Sequence, residues 1–330
     1  MPLRTLTQRL LRGGLSAALA LTLVSALTAP AQADPPKKPL PVSFNVTPIL
    51  SGMAARTFVP HWSPAGSNDP TCKLTPSRPR PVVLVNFTSG AGWEWSTGSP
   101  YLRNNGFCVF HFNYGNITPF ERFPLQGLGD IRTSAVELAT FVDQVRATTG
   151  SDKVDLVGWS QGGGMLPHYY INFLGGAAKV NELVGIAPGN HGTDGSGILR
   201  PDTLAPIVYP ILRHVLPSFG QQIAGTELAE EIYRDGDTRP GPHYTVIASK
   251  YDWIATPTQN QFLVGDPTAF GGQGNVTNIL LQDGCAKDRS EHISTGFSER
   301  TWRHVLNALA PAEAKKVPCI AVLPYLGSGL

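Results

Sequence analysis

The sequence predicts an α/β fold in which a mostly parallel central sheet is covered by helices on both faces. The first observation is a set of short apolar runs bounded by glycine, proline or polar residues, the pattern of strands buried on both faces. The second is that segments with helical periodicity alternate with these runs, as expected when helices connect parallel strands. The apolar runs are 81–86, 107–114, 154–157, 183–187, 244–248 and 276–281.

Three segments between or after these runs are predicted to be helices. In 130–148, apolar residues recur every three or four positions, which marks one face of a helix. Ser134 and Glu137 are spaced as a capping box for a late start of this helix, and Gly150 suits its end. The other two predicted helices are 161–173 and 298–309.

Residues 195–240 interrupt the alternation of strands and helices. They contain two apolar helical stretches, 204–216 and 223–233, broken by prolines and glycines. We therefore expect a helical insertion between two strands of the sheet. Two interpretations stay open, a lid over a site and a surface excursion with no role in access.

The N-terminal segment has the pattern of a secretory signal peptide. Three arginines precede an apolar stretch at 15–27 that is short for a membrane span, and the tripeptide ending at Ala33 fits an A-x-A cleavage site. An uncleaved membrane anchor is the alternative. Cleavage near Ala33 would divide the chain into a signal peptide, residues 1–33, and one domain, residues 34–330. The proline-rich start of that domain, to about residue 50, is expected to be extended.

Four cysteines follow the predicted cleavage site. An even number of cysteines in an exported chain indicates two disulfides, for which three pairings are possible. Proximity in the sequence favours Cys72 with Cys108 and Cys285 with Cys319. Free or zinc-binding thiols are the alternative, which the lack of C-x-x-C spacing disfavours.

The segment Gly158-Trp159-Ser160-Gln161-Gly162 begins at the end of a predicted strand. A lone G-x-S-x-G match is a weak signal in a chain with 35 glycines. Here the motif lies between a buried strand and a predicted helix, which is the strand–turn–helix setting of a nucleophile elbow. The helix N–H groups then face the oxyanion. Ser160 is therefore predicted to be the nucleophile of an α/β-hydrolase fold, rather than an incidental serine in a glycine-rich turn.

A serine nucleophile needs a base, and hydrolases of this fold order their triad as serine, acid and histidine. Asp252, just after the strand 244–248, is the predicted acid, and Asp283 after the next strand is the runner-up. His292, in the loop before the final helix, is the predicted base. The other candidate acids, Asp194 and Asp202, lie in or beside the insertion. Among the other candidate bases, His214 lies in the insertion, His243 directly precedes a strand and His304 lies within the final helix. His191 precedes the predicted acid in the chain.

Two backbone N–H groups are expected to hold the oxyanion. One belongs to Gln161, the residue after the nucleophile, and the other to the loop 86–90 after the first core strand. Thr88 is the predicted residue of that loop, and its hydroxyl would supply a third donor. Ser89 is the alternative.

These residues resemble the secreted class 2 lipases of actinobacteria and, more distantly, the fungal lipase B type. The likeness extends from about residue 70 to 319, and the cysteines fall where such enzymes place disulfides. It implies hydrolysis of acyl esters and triacylglycerols, by Ser160, Asp252 and His292, without a metal or an organic cofactor. The segments that carry the likeness most strongly are 81–85, 154–163, 250–252 and 290–292.

Two segments depart from the class 2 pattern. That family has His-Gly-Thr after the first core strand, where this chain has Asn86-Phe87-Thr88, so Phe87 replaces a glycine. It also has a histidine before the serine, where this chain has Trp159, the residue type found in the fungal family.

The predicted function is a secreted serine carboxylic ester hydrolase, a triacylglycerol lipase or esterase. A polyester depolymerase or acyltransferase with the same triad is the alternative, and a non-catalytic binding protein on this fold is a third. Trp93, Trp95 and the insertion would line an acyl pocket, or the tryptophans would be ordinary core.

The expected partner is an acyl ester or lipid, encountered at a lipid–water interface, and the protein is expected to be monomeric and not an integral membrane protein after cleavage. Three of the positive charges in the net charge of +2 lie in the signal segment, and the near-neutral remainder excludes nucleic-acid binding.

Overall fold

The central sheet is parallel throughout the part of the chain that the structure describes. The structure is a computed structural model that describes residues 38–59, 62–120, 123–200 and 203–328. The predicted signal peptide and Asp202 therefore lie outside the described residues. Six strands pair in the order β2-β1-β3-β4-β5-β6, and every neighbouring pair is parallel. The strands are β1 Val82–Val85, β2 Val109–His111, β3 Val154–Trp159, β4 Val180–Ile186, β5 His243–Ala248 and β6 Val276–Leu280.

Helices cover the sheet on both faces, as predicted. The α-helices are α1 Thr47–Phe58, α2 Gly98–Asn104, α3 Ile131–Thr149, α4 Met165–Phe173, α5 Gly176–Lys179, α6 Ala205–Val215, α7 Pro217–Gln221, α8 Glu227–Tyr233, α9 Ala269–Gly272 and α10 Glu299–Leu309. Val83 and Val85 of β1 belong to one apolar core with residues of α3, α4 and α8. Val82 and Leu84 belong to a second core with residues of α1, α2 and α10. Successive side chains of a strand point to opposite faces, so a run that is apolar at every position supports two cores.

Two local predictions at helix starts are wrong. The capping box of Ser134 and Glu137 does not form, because Asp130 caps α3 by accepting a hydrogen bond from the Thr133 N–H at 3.0 Å. The predicted lead-in is not extended to residue 50, because α1 begins at Thr47 with a proline in its first turn, where proline suits a helix. The predicted helix end at Gly150 is confirmed by its left-handed φ of 70°.

The insertion consists of a projecting helix and an anchored part. Among the described side chains of α6 none is buried, and Ile207, Ile211 and Val215 are 59–65% exposed. In contrast, Gln221 at the end of α7 accepts a hydrogen bond from the Ile131 N–H at 2.8 Å. Helix α8 packs into the first core through Leu228 and its neighbours. Among the described residues of the insertion, those of α6 therefore lack a buried side chain or a hydrogen bond that attaches the helix to the body of the protein.

Two disulfides join the predicted pairs. Cys72 bonds to Cys108 and Cys285 bonds to Cys319, which confirms the pairing favoured by proximity. Within the described ranges no helix has the length and apolar content needed to cross a bilayer.

Candidate active site

Ser160 lies at the tip of a tight turn between β3 and α4. Its φ of 54° is in the left-handed region that residues with a side chain rarely adopt. A single turn of 3₁₀ helix, Ser160–Gly163, precedes α4, so the helix predicted for 161–173 starts later than expected. A Cβ on Gly162 would overlap the carbonyl oxygens at the end of β1, and one on Gly158 would overlap the carbonyl of Gly162. The motif glycines are thus required by close backbone contact, which is the geometry of a nucleophile elbow.

Asp252 and His292 meet at the same edge of the sheet. The Nδ1 atom of His292 lies 2.7 Å from Oδ2 of Asp252, and both side chains are almost completely buried. The other oxygen of Asp252 accepts backbone N–H bonds from Ile254 and Ala255, each at 2.8 Å. Gln261 donates to Oδ2 at 3.2 Å. The carboxylate is therefore held in place by four donors, one of which is the imidazole.

The loop that carries His292 is bonded to the nucleophile elbow through Trp159. The indole Nε1 of Trp159 donates to the carbonyl oxygen of His292 at 3.1 Å. The same indole lies so close to Gly296 that a Cβ there would overlap the ring. Among the described residues the Ser160 hydroxyl has no hydrogen-bond partner, and the bond between its segment and the His292 loop is made by the Trp159 indole. Catalytic hydrogen bonds in unliganded enzymes are often long and tighten when substrate binds.

Thr88 occupies the loop that faces the elbow. Its hydroxyl oxygen accepts a hydrogen bond from Nε2 of Gln161 at 2.7 Å and another from Nε2 of Gln222 at 2.7 Å. In the described ranges its backbone N–H has no hydrogen-bond partner. Ser89, the alternative, has a left-handed φ of 65° and forms the turn that closes the loop. Two side chains thus orient Thr88, and one of them belongs to Gln161, the residue directly after Ser160.

A buried carboxyl group supports the same loop from behind. Glu94 has no exposed surface and accepts the N–H of Phe87 with its two oxygens at 3.0 and 3.2 Å. Burial raises the pKa of Glu94 well above its usual value, although the hydrogen bond from Phe87 opposes this. The neutral acid is therefore favoured in the folded protein. A Cβ on Gly90 would overlap this carboxyl group, so the glycine of the loop is required where the carboxyl packs.

A family model of the alpha/beta hydrolase fold matches residues 80–277, a segment that includes β1, the elbow and Asp252. The chain belongs to the α/β-hydrolase family. Two solved structures of similar fold are lipases. Lipase B of Aspergillus fumigatus is 20% identical with a TM-score of 0.55, over 86% of this chain and 65% of that chain. A mature lipase of Bacillus licheniformis is 16% identical with a TM-score of 0.51, over 73% of this chain and 96% of that one. The α/β-hydrolase described here thus spans less than two thirds of the Aspergillus lipase, and at these identities the likeness shows the shared fold alone.

Four residues around the site of this α/β-hydrolase were not predicted from the sequence. Gln222 and Glu94 support the loop of Thr88, and Gln261 binds Asp252. Glu291 accepts N–H bonds from Ile293, Ser294 and Tyr325, and so fixes the loop of His292 against the C-terminal segment. One local signal for Glu291 was available in the sequence. Glu291 precedes Ser294 by three positions, which is the spacing of a capping box with the serine and the glutamate in reverse order. Nothing in the sequence links Gln222 to Thr88, which is 134 residues away.

Among the described residues of this α/β-hydrolase, which exclude Asp202, the other candidate acids and histidines form no hydrogen bond with Asp252 or His292. Asp283 is exposed, and Asp194 binds Thr256 and Arg200. His191 binds Asp237, and His243 binds Glu182. His214 is exposed on α6, and His304 belongs to α10. Trp93 and Trp95 are buried in the second core, so the interpretation of these tryptophans as ordinary packing is the one supported.

Proposed function

We propose that this protein is a secreted serine hydrolase of carboxylic esters, a lipase or esterase that works through an acyl-enzyme on Ser160. The observation that carries the proposal is the 2.7 Å bond between His292 Nδ1 and Asp252 Oδ2. A carboxylate at Nδ1 fixes the tautomer in which Nε2 is free to act as a base, and it stabilises the imidazolium that forms. In this proposal Ser160 is the serine that the pair activates, which is supported by the 3.1 Å bond from the indole of the preceding Trp159 to the carbonyl oxygen of His292.

The proposed reaction has two halves. His292 Nε2 takes the proton of the Ser160 hydroxyl as the oxygen attacks the ester carbonyl, and the N–H groups of Gln161 and Thr88 stabilise the oxyanion. His292 then gives the proton to the leaving alcohol. In the second half, water replaces the alcohol and the acid is released. Chemistry of this kind uses only side chains and backbone, so no metal or organic cofactor is part of the proposal.

Several features support a lipid-like ester as substrate. Both similar solved structures are named lipases, and the sequence resembles the secreted actinobacterial class 2 lipases. The exposed aliphatic side chains of α6 suit a lipid–water interface. A polyester depolymerase or an acyltransferase remains the second candidate, because the same acyl-enzyme serves both.

The proposal extends to the location and form of the protein. A signal peptide ending near Ala33 would export a single catalytic domain, residues 34–330, and two disulfides suit an extracellular protein. We propose that the exported form is a monomer that works outside the cell.

Hydrolysis of p-nitrophenyl butyrate and octanoate by purified variants tests the proposal. Ser160→Ala and His292→Gln are each expected to lose about 10⁶-fold in kcat, and Asp252→Asn about 10⁴-fold. Asp283→Asn and His214→Gln are the matched controls, because both residues are exposed and away from the site, and they should retain kcat within about twofold. Hydrolysis by Ser160→Ala at the wild-type rate would refute the proposal. Product analysis with added alcohols separates hydrolysis from acyl transfer.

A further inference from the structure

We propose that Gln222, a residue of the insertion, is a positioning residue that turns the Thr88 hydroxyl into a dedicated donor to the oxyanion. The inference rests on the proposed function and deepens it, because it assigns to the insertion a part in the chemistry at Ser160. It concerns the direction of one proton, which the hydrogen-bond network around Thr88 determines.

The identity of the donors follows from the network. Nε2 of Gln222 lies 2.7 Å from Thr88 Oγ1 and 2.9 Å from the carbonyl oxygen of Ser218. Nε2 of Gln161 lies 2.7 Å from Thr88 Oγ1 and 3.0 Å from the carbonyl oxygen of Gly127. A carbonyl oxygen only accepts hydrogen bonds, so the amide atom facing it must be the nitrogen in both glutamines. Both glutamines are therefore donors to Thr88.

The two donors leave the Thr88 hydroxyl a single role. A hydroxyl oxygen has two acceptor sites and one proton. Both acceptor sites are occupied by the amides of Gln161 and Gln222, so the proton has to lie in the remaining direction and is free to be donated. A donor whose direction is already set does not have to reorganise when charge develops on the substrate, which is the basis of electrostatic stabilisation in an oxyanion hole.

Gln222 is itself held by the body of the protein. It is the C-cap residue that directly follows α7, and its backbone carbonyl accepts the N–H of Thr193 at 2.8 Å. Thr193 lies in the segment after β4, and its own carbonyl accepts the N–H of Ala224 at 2.9 Å. The neighbouring Gln221 is bonded to the first turn of α3. The amide of Gln222 thus belongs to the anchored part of the insertion, not to the projecting helix α6.

A double-mutant cycle between Gln222 and Thr88 tests the inference with p-nitrophenyl esters. Removal of one oxyanion donor lowers kcat by about 10²–10³-fold, so Thr88→Val should fall at the lower end and Gln222→Ala should lose about tenfold, with KM within about twofold in both. In the Thr88→Val background, Gln222→Ala should cause no further loss, because no hydroxyl remains to be oriented. Gln144→Ala is the matched control, since this glutamine is exposed on α3 and its side-chain amide has no hydrogen-bond partner among the described residues, and it should keep kcat within about twofold.

A second variant guards against a simple loss of folding. Gln222→Glu keeps the size of the side chain, but its carboxylate would accept the Thr88 proton and divert it from the oxyanion. It should therefore lower kcat more than Gln222→Ala does, and again only when Thr88 is present. Unchanged kcat in both Gln222 variants, or an equal loss in the Thr88→Val background, would overturn the inference. Activity that survives Ser160→Ala would instead refute the proposed function.

Discussion

The ring of Phe87 meets the indole of Trp159 edge to face, with centroids 4.8 Å apart and planes at 73°. These are two of the positions at which the sequence differs from the class 2 lipases that it resembles, where glycine and histidine are usual. Phe87 also meets Trp93 edge to face at 5.6 Å. The side chain that replaces the glycine is thus accommodated by the indole that replaces the histidine. Because Trp159 also bonds to the carbonyl of His292, this contact joins the loop of Thr88, the elbow and the loop of His292.

The aromatic contact is expected to appear as an energetic coupling between Phe87 and Trp159. Edge-to-face pairs contribute about 0.5–1.5 kcal/mol beyond the area they bury. Urea unfolding of Phe87→Leu, Trp159→Leu and the double variant should therefore give a coupling free energy in that range. Phe87→Leu combined with Phe112→Leu is the matched control, because Phe112 stacks on Phe141 instead. Additive losses for the first pair would contradict the contact.

Glu94 is expected to make the stability of the protein depend on pH. Because burial raises its folded pKa above the usual 4.5, its stabilising contribution is complete below that pH. The contribution is then lost as pH rises through the folded pKa. Glu94→Gln keeps an oxygen for the Phe87 N–H and cannot ionise, so its unfolding free energy should rise relative to wild type as pH increases.

Glu94→Ala provides the contrast to this variant. It leaves the Phe87 N–H without an acceptor, which should cost about 1–3 kcal/mol relative to Glu94→Gln at every pH, because neither variant can ionise at this position. Urea unfolding at several pH values from 4 to 9 measures both effects. A constant difference between Glu94→Gln and wild type over that range would show that Glu94 does not titrate as expected.

The pair of His191 and Asp237 should stabilise the protein most at mildly acidic pH. Burial alone would lower the pKa of His191, but its 3.0 Å bond to Asp237 raises that pKa above 6.5. Burial alone would raise the pKa of Asp237, but its bonds to His191 and the Val264 N–H lower it below 3.8. The contribution of His191 is complete below pH 6.5 and is lost as pH rises through its folded pKa. The contribution of Asp237 is complete above pH 3.8 and is lost as pH falls through its folded pKa.

Asp237→Asn tests this window. The loss in unfolding free energy should be about 1–2 kcal/mol near pH 5, where both groups are charged, and smaller at pH 9. Asp235→Asn, two residues earlier and exposed, is the matched control and should change stability little at either pH. A loss that is the same at pH 5 and pH 9 would argue against an ion pair.

The disulfides should contribute a large part of the stability. Each closes a loop of similar size, with sequence separations of 36 and 34 residues. Loop-closure entropy for such loops corresponds to about 4 kcal/mol each at 25 °C. Cys72→Ser/Cys108→Ser and Cys285→Ser/Cys319→Ser should each lower the unfolding free energy by roughly that amount. Urea unfolding without reductant measures it, and dithiothreitol should destabilise wild type but not a protein that lacks both bonds.

The residues proposed for catalysis could be predicted because their positions depend on chain order. In a parallel sheet the carboxyl ends of all strands lie at one edge, so Ser160 after β3 and Asp252 after β5 had to be close in space. His292 followed from its place before the final helix. The supporting residues Gln222 and Glu291 could not be predicted, because glutamine and glutamate are common at surfaces and neither residue type nor spacing marks a buried partner.

The sequence by itself determined the local elements and the glycine positions of the elbow, since periodicity and steric limits act over a few residues. Only the tertiary structure decided how the segments between strands pack against the site. In the folded protein the side-chain amide of Gln222 donates a hydrogen bond to Thr88, and the ring of Phe87 packs against the indole of Trp159. Such contacts join residues that are far apart in the chain. They depend on the path that each segment between two strands follows over the sheet. A local pattern carries no information about that path.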